Sequence, residues 1–294
     1  MNDLALARSL ELNLVPGVSH PNSKVDVNGQ DECITCIKSK LRRHYSRKPA
    51  QRTSRPFELL HSDSCRPMPP SKAGSRYFIL FIDDYTRITY VYFLQRKNAE
   101  LCSNAFVEFL NYQSSHYPQF PVARFRSDNG RGEYDNELFK RLLRERGISF
   151  EPSVPYSPHQ NGAAEWMIRT ITTRARSILL DAGLPIDFWA EVVNTAVYLQ
   201  QWIPSVLLDN SPPYIVLESA SQIGHSTTKI LSAPRSAYSI DHLRRIGCVA
   251  YRRTPDATLD SKTSLKFGAR AQIAMMLGYT NSTKIWRLWD FQGK

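Results

Sequence analysis

The sequence predicts an α/β domain built on a mixed sheet, followed by a small β-rich module. Three observations carry that expectation. Short apolar runs at FELLHSD, SRYFILFIDD and ITYVYFL follow one another with only tight polar turns between them. From Asn98 to Gln201, helix-length and strand-length patterns alternate. Beyond Ser239 the text returns to short apolar runs separated by turns, as a small barrel-like module requires.

The elements follow in order. FELLHSD is a short strand ending on polar groups, and the next two apolar runs are hairpin-linked strands joined at Asp83-Asp84-Tyr85-Thr86. Asn98 caps a helix, NAELCSNAFVEFLNYQ, with Leu101, Phe106, Phe109 and Leu110 inward. PVARF is the next strand, and ELFKRLLRERG a helix stopped at Gly147; ISFEPS is a last short strand. A long helix runs from about Gly162 to Ala182, with Ile168, Ile171, Ala175, Ile178 and Leu179 at helical spacing. Gly183-Leu184-Pro185 breaks it, and Phe188 to Gln201 starts another. Residues 211–238 are rich in Ser and Pro with weak periodicity and read as a loop or insertion. In 239–294 the apolar runs are CVAYRR, IAMMLGY and WRLWDF.

Composition narrows the function classes. A 294-residue chain with 42% apolar residues can bury a sizeable core. No apolar run is long enough to span a bilayer, so no membrane partner is expected. The N-terminus, MNDLALARSLELNL, has no apolar core of a secretory signal, which predicts a nuclear or cytoplasmic protein that is not secreted. Five cysteines with one close pair, Cys33 and Cys36, point to a reducing compartment. The net charge of +11 favours an anionic partner, most simply nucleic acid. That charge is concentrated: Ile37 to Phe57 holds eight Lys/Arg, among them Lys38, Lys40, Arg42 and Arg43, and no acid. Such a block reads as a linker or as an arm on a phosphate backbone.

Three carboxylates stand at element ends. Asp63 closes the first strand, Asp128 closes a later one in FRSDNGRGEY, and Glu165 lies in the first turn of the long helix. A mixed sheet can set two strand ends side by side and bring a helix start against them. Three gathered carboxylates suit Mg²⁺ or Mn²⁺, which prefer carboxylate oxygens. Each acid also has a plainer reading: a turn residue at Asp63 or Asp128, and a helix N-terminal acid paired with Arg169 at Glu165. Asp83 and Asp84 are expected to be turn residues. The loop YSPHQN before Glu165 is an ordinary polar entry to a capped helix on the same plain terms. Arg169, Arg174 and Arg176 make that helix's polar side basic, which suits either solvent or DNA backbone.

FELLHSDSCRPM, YFILFIDDYTR, FRSDNGRGEY, YSPHQNGAAEW and GLPIDFWAEVVNTAVYL together resemble the integrase core of copia-type LTR retrotransposons, relatives of retroviral integrases. The resemblance runs from about Cys33 to Gly293. It implies an RNase H-like fold and a D,D,E triad at Asp63, Asp128 and Glu165. It implies DNA contact by Tyr156, Ser157, His159, Gln160 and Asn161, and multimeric assembly. The tail resembles the SH3-like segment that follows such cores. CITCIKSK matches the second half of a zinc motif, giving Cys33 and Cys36 as a partial site that lacks the upstream His pair; zinc ordinarily takes four ligands. Arg66, Trp166 and LQQWIPS depart from the family pattern. No reverse transcriptase segment follows Lys294, so the expectation is a polyprotein fragment or decayed copy. The organisation is then 1–56 truncated zinc segment and basic linker, 57–210 catalytic core, 211–238 loop or insertion, and 239–294 SH3-like module.

Three functions compete. The first is an integrase that trims a DNA 3′ end and joins it to target DNA. The second is a catalytically dead remnant that still binds nucleic acid, RNA included. The third is an RNase H-type nuclease using the same carboxylates. Carboxylates too far apart to share an ion would count against catalysis in that arrangement.

Overall fold

The computed structural model describes residues 52–128, 133–153, 161–223, 239–253, 270–280 and 285–291. Five strands form one mixed sheet: β1 (Leu59–Ser64), β2 (Tyr77–Asp83), β3 (Thr89–Leu94), β4 (Arg124–Ser127) and β5 (Ser149–Pro152), in the order β3-β2-β1-β4-β5. The first three pair antiparallel, and β4 and β5 add on in parallel. The expected mixed α/β architecture is the one found.

Alternation along β2 shows how the sheet is covered. Ile79 and Phe81 face one cluster, with Phe106, Phe109 and Leu110 of α1 (Ala99–His116) and Phe139 and Leu143 of α2 (Glu137–Glu145). Phe78, Leu80 and Ile82 face the other, with Met167, Ile171 and Ala175 of α3 (Gly162–Asp181) and Val192, Val193 and Ala196 of α4 (Trp189–Trp202). The result is a helix–sheet–helix sandwich. Asn98 caps α1 as expected, its Oδ1 accepting from Leu101 N at 3.0 Å. Gly147, at φ +65°, ends α2 in a conformation that favours glycine.

Several expectations need correction. The buried stripe of α3 is Ala164, Met167, Ile171 and Ala175, whereas Ile168, Ile178 and Leu179 are only half-buried. The helix sits deeper on its alanine side than a count of large apolar residues suggests. The expected loop at 211–238 contains a helix, α5 (Pro213–Ile223), which buries Leu217 and Ala220 in the first cluster. Its first residue is a proline, which needs no N–H donor there. The basic linker was carried through residue 56, yet Arg52 and Arg55 are built into the fold. Arg52 donates to Leu207 O at 2.6 Å and Tyr85 O at 2.9 Å, and Arg55 to Pro121 O at 2.8 Å. The described residues from Arg52 onward form one compact unit.

The tail gives a three-stranded antiparallel sheet, β6 (Val249–Arg253), β7 (Ala271–Tyr279) and β8 (Trp286–Asp290), in that order. It packs on α4. Tyr279 stacks on Tyr198 at 4.4 Å between centroids, and Thr195 Oγ1 donates to Leu277 O at 3.1 Å.

The acids of the β2–β3 turn do structural work, as expected. Asp83 accepts from Phe57 N at 2.8 Å and from Thr86 N and Oγ1 at 2.8 and 2.6 Å. Asp84 binds Thr53, His61 and Arg87. Burial alone would raise the Asp84 pKa, but the His61 hydrogen bond and the Arg87 charge hold it below its usual value of 3.8. A depressed carboxylate contributes stability above its unfolded pKa and loses it as pH falls through the folded one. Asp84→Asn is therefore expected to cost about 3 kcal/mol in urea unfolding at neutral pH, with the gap to wild type closing below pH 3.8. At Gly278 an added Cβ would fall on Thr195 Oγ1. Gly278→Ala is expected to destabilise by about 1–3 kcal/mol and lower Tm without altering the secondary-structure content.

Candidate active site

The site forms where β1 and β4 end together. Their parallel register runs Leu59↔Arg124 to Ser62↔Ser127, so the next residue on each strand is an acid, Asp63 and Asp128. Across the antiparallel pairing, Asp63 lies opposite Leu80. Directly opposed residues share a face, so Asp63 points toward α3 and α4. Ser62 and Ser64 lie opposite Phe81 and Ile79, on the α1 and α2 face.

Glu165 reaches the site from the first turn of α3. A side chain that the sequence reading assigned to DNA fixes that approach. Asn161 is 1 % exposed and its side chain accepts no cap bond; its Nδ2 donates to Ser62 O at 2.9 Å. The N-terminus of α3 is thereby tied to the residue before Asp63. Buried against β1, this amide is not presented at the surface in this arrangement.

The carboxylates sense one another. Burial pushes Asp63 up to about 7, and repulsion from Asp128, Glu133 and Glu165 adds to it; the hydrogen bond from Ser64 N at 2.8 Å works the other way. Asp63 is half-buried, while Asp128 and Glu165 are exposed. Among the described residues, no three His, Cys, Asp or Glu side chains are grouped closely enough to hold one ion. The triad is gathered at one sheet edge but not converged. By donor type and by mutual repulsion the three suit a hard divalent ion.

The other expected residues divide. Arg169 and Arg176 are exposed on α3, whereas Arg174 turns to Gln200 on α4 and is not presented to a partner. Arg66 and Trp166 are both exposed, Trp166 at 48 %. Cys33, Cys36, Lys38, Lys40, Arg42, Arg43, Tyr156, Ser157, His159 and Gln160 lie outside the described residues.

Sequence reading also passed over Glu133. It is buried at 4 %, accepts from Ser64 Oγ at 2.8 Å and pairs with Lys97. A charged residue five places after Asp128 was the one available signal. Next to it, Tyr134 is fully buried with its hydroxyl 2.6 Å from Ser62 Oγ. The end of β1 is thus held from α3 by Asn161 and from the segment after β4 by Glu133 and Tyr134. Asn161→Ala is expected to cost about 1–2 kcal/mol in chemical unfolding, because it leaves the buried Ser62 carbonyl without that donor.

Residues 53–158 match the model of the integrase core domain. The Retrovirus-related Pol polyprotein from transposon TNT 1-94 of Nicotiana tabacum is 32% identical over 261 residues, 88% of this chain and 18% of the relative. The Retrovirus-related Pol polyprotein from transposon RE1 of Arabidopsis thaliana is 28% identical over 219 residues, 74% of this chain and 13% of the relative. This chain therefore spans less than a fifth of the length of these relatives. Among solved structures, the fold is similar to a chain of the simian T-cell lymphotropic virus intasome in complex with PP2A regulatory subunit B56 gamma. The TM-score is 0.51 at 13% identity, over 87% of this chain and 85% of that one. The matched core domain and the similarity along most of the chain agree in supporting a retrotransposon integrase fragment.

Proposed function

We propose that this chain is the integrase portion of such a polyprotein, acting on DNA by divalent-metal-dependent 3′-end processing and strand transfer. The observation that carries the reading is the β1–β4 register, which sets Asp63 and Asp128 on neighbouring strand ends with Glu165 in electrostatic reach. Asp63, Asp128 and Glu165 would hold Mg²⁺ or Mn²⁺. Bound in a pair, such ions supply an activated oxygen and charge at the leaving oxygen for in-line displacement at phosphorus. The chain's own residues do the rest. Ser64 N fixes the Asp63 carboxylate, and Asn161 fixes the helix that carries Glu165. Arg169 and Arg176, exposed on α3, suit the phosphate backbone, where contacts position without reading sequence.

DNA ends and target DNA are the proposed partners, and a multimer of this chain the proposed assembly, by analogy with the intasome relative. Cys33 and Cys36 are proposed as half of a zinc site. A nucleic-acid-binding remnant without chemistry is the second reading, favoured by the unconverged carboxylates.

The test is nicking and strand transfer on a labelled duplex oligonucleotide with Mg²⁺ or Mn²⁺. Asp63→Asn, Asp128→Asn and Glu165→Gln are each expected to lower the rate by about a hundredfold or more while leaving salt-dependent DNA binding in place. Binding by the wild-type chain with no metal-dependent product would select the remnant instead. Cleavage confined to the RNA of an RNA–DNA hybrid would select a nuclease.

A further inference from the structure

At the edge of the carboxylate cluster, the exposed Lys97 forms an ion pair with the buried Glu133. Lys97 Nζ pairs with one Glu133 oxygen and donates to Ser64 Oγ at 3.2 Å, and Ser64 Oγ in turn donates to the other Glu133 oxygen at 2.8 Å. Both partners are anchored at helix starts. Lys97 directly precedes Asn98, the N-cap of α1. The Glu133 carbonyl accepts at 3.0 Å from Nδ2 of Asn136, the N-cap of α2. Ser64, the third member, faces α1 and α2, on the opposite side of β1 from Asp63. Lys97 nevertheless lies within electrostatic reach of both Asp63 and Asp128.

An ion pair with one solvent-exposed partner contributes little to stability, since water screens it and the long side chain loses freedom. Its position invites a different role. The ammonium sits on a flexible stem within electrostatic reach of Asp63, which would be a ready partner if Glu133 carried no charge. We propose that Glu133 is a positioning residue that keeps the Lys97 ammonium parked on the far face of β1, so that it does not occupy the Asp63 carboxylate in place of a divalent cation. The inference rests on the reading of Asp63, Asp128 and Glu165 as metal ligands. Parked there, Lys97 lowers the net charge of the cluster without occupying its ligands.

The test is Mn²⁺ binding to the full chain without DNA, followed by the electron paramagnetic resonance of free Mn²⁺. Glu133→Gln is expected to weaken binding about tenfold or more, because the released ammonium turns to Asp63. The double variant Lys97→Met/Glu133→Gln removes the competing cation and is expected to return close to wild-type affinity. A purely structural role predicts a double variant at least as weak as the single one, and that result overturns the proposal. So does wild-type affinity in a folded Glu133→Gln protein. Where the single variant does not fold, the double variant decides alone: near wild-type affinity supports parking, and lost affinity overturns it. Asp63→Asn and Asp128→Asn separate this from the reading beneath it. If Mn²⁺ binding survives both, or wild type binds none, the metal-ligand reading itself fails.

Discussion

Four parallel residue pairs between β1 and β4 hold the site in place. They bring two aspartates to the same sheet edge, each one step beyond the last pair. A one-residue slip would turn Asp63 to the opposite face, where Ser62 and Ser64 now point. The apolar residues of β1 and β4 forbid that slip, since Leu60 and Phe125 are fully buried in one cluster. Core packing therefore sets the geometry of a polar site that lies outside the core.

Burying Asp63 and setting other acids beside it has a cost, visible in its raised pKa. Local ties hold the strand end against that cost. Asn161 binds the carbonyl before Asp63, Ser64 N binds its carboxylate, and Tyr134 and Glu133 bind Ser62 and Ser64 on the other face. Each tie acts on β1 within one residue of Asp63. The partners come from α3 and from the segment that leads into α2, so the strand end is the point where both helical layers meet.

Much of this was legible in the sequence, for local reasons. The strands β1 to β3 and the Asn98 cap follow from alternation and capping chemistry within a few residues. Asp63, Asp128 and Glu165 could be named because each stands at the end of a recognisable element, in motifs that match a family. What could not be read depends on distant partners. Asn161 looked like a cap or a DNA contact, and only the approach of α3 to Ser62 shows where its amide goes. Arg52 looked like part of a basic linker, and its carbonyl partners lie as far away as Leu207. Glu133 had no periodicity to mark it. The helix at Pro213–Ile223 was hidden by the Ser/Pro-rich text around it, although Leu217 and Ala220 have helical spacing.

The central claim is that the paired strand ends and the first turn of α3 make one cation site. The most direct measurement is anomalous diffraction from crystals of the chain soaked in Mn²⁺. The account predicts density for one or two ions bounded by the carboxylates of Asp63, Asp128 and Glu165, with Lys97 still on Glu133. Ions bound elsewhere while this edge stays empty, or an ammonium lying between Asp63 and Asp128, would contradict it.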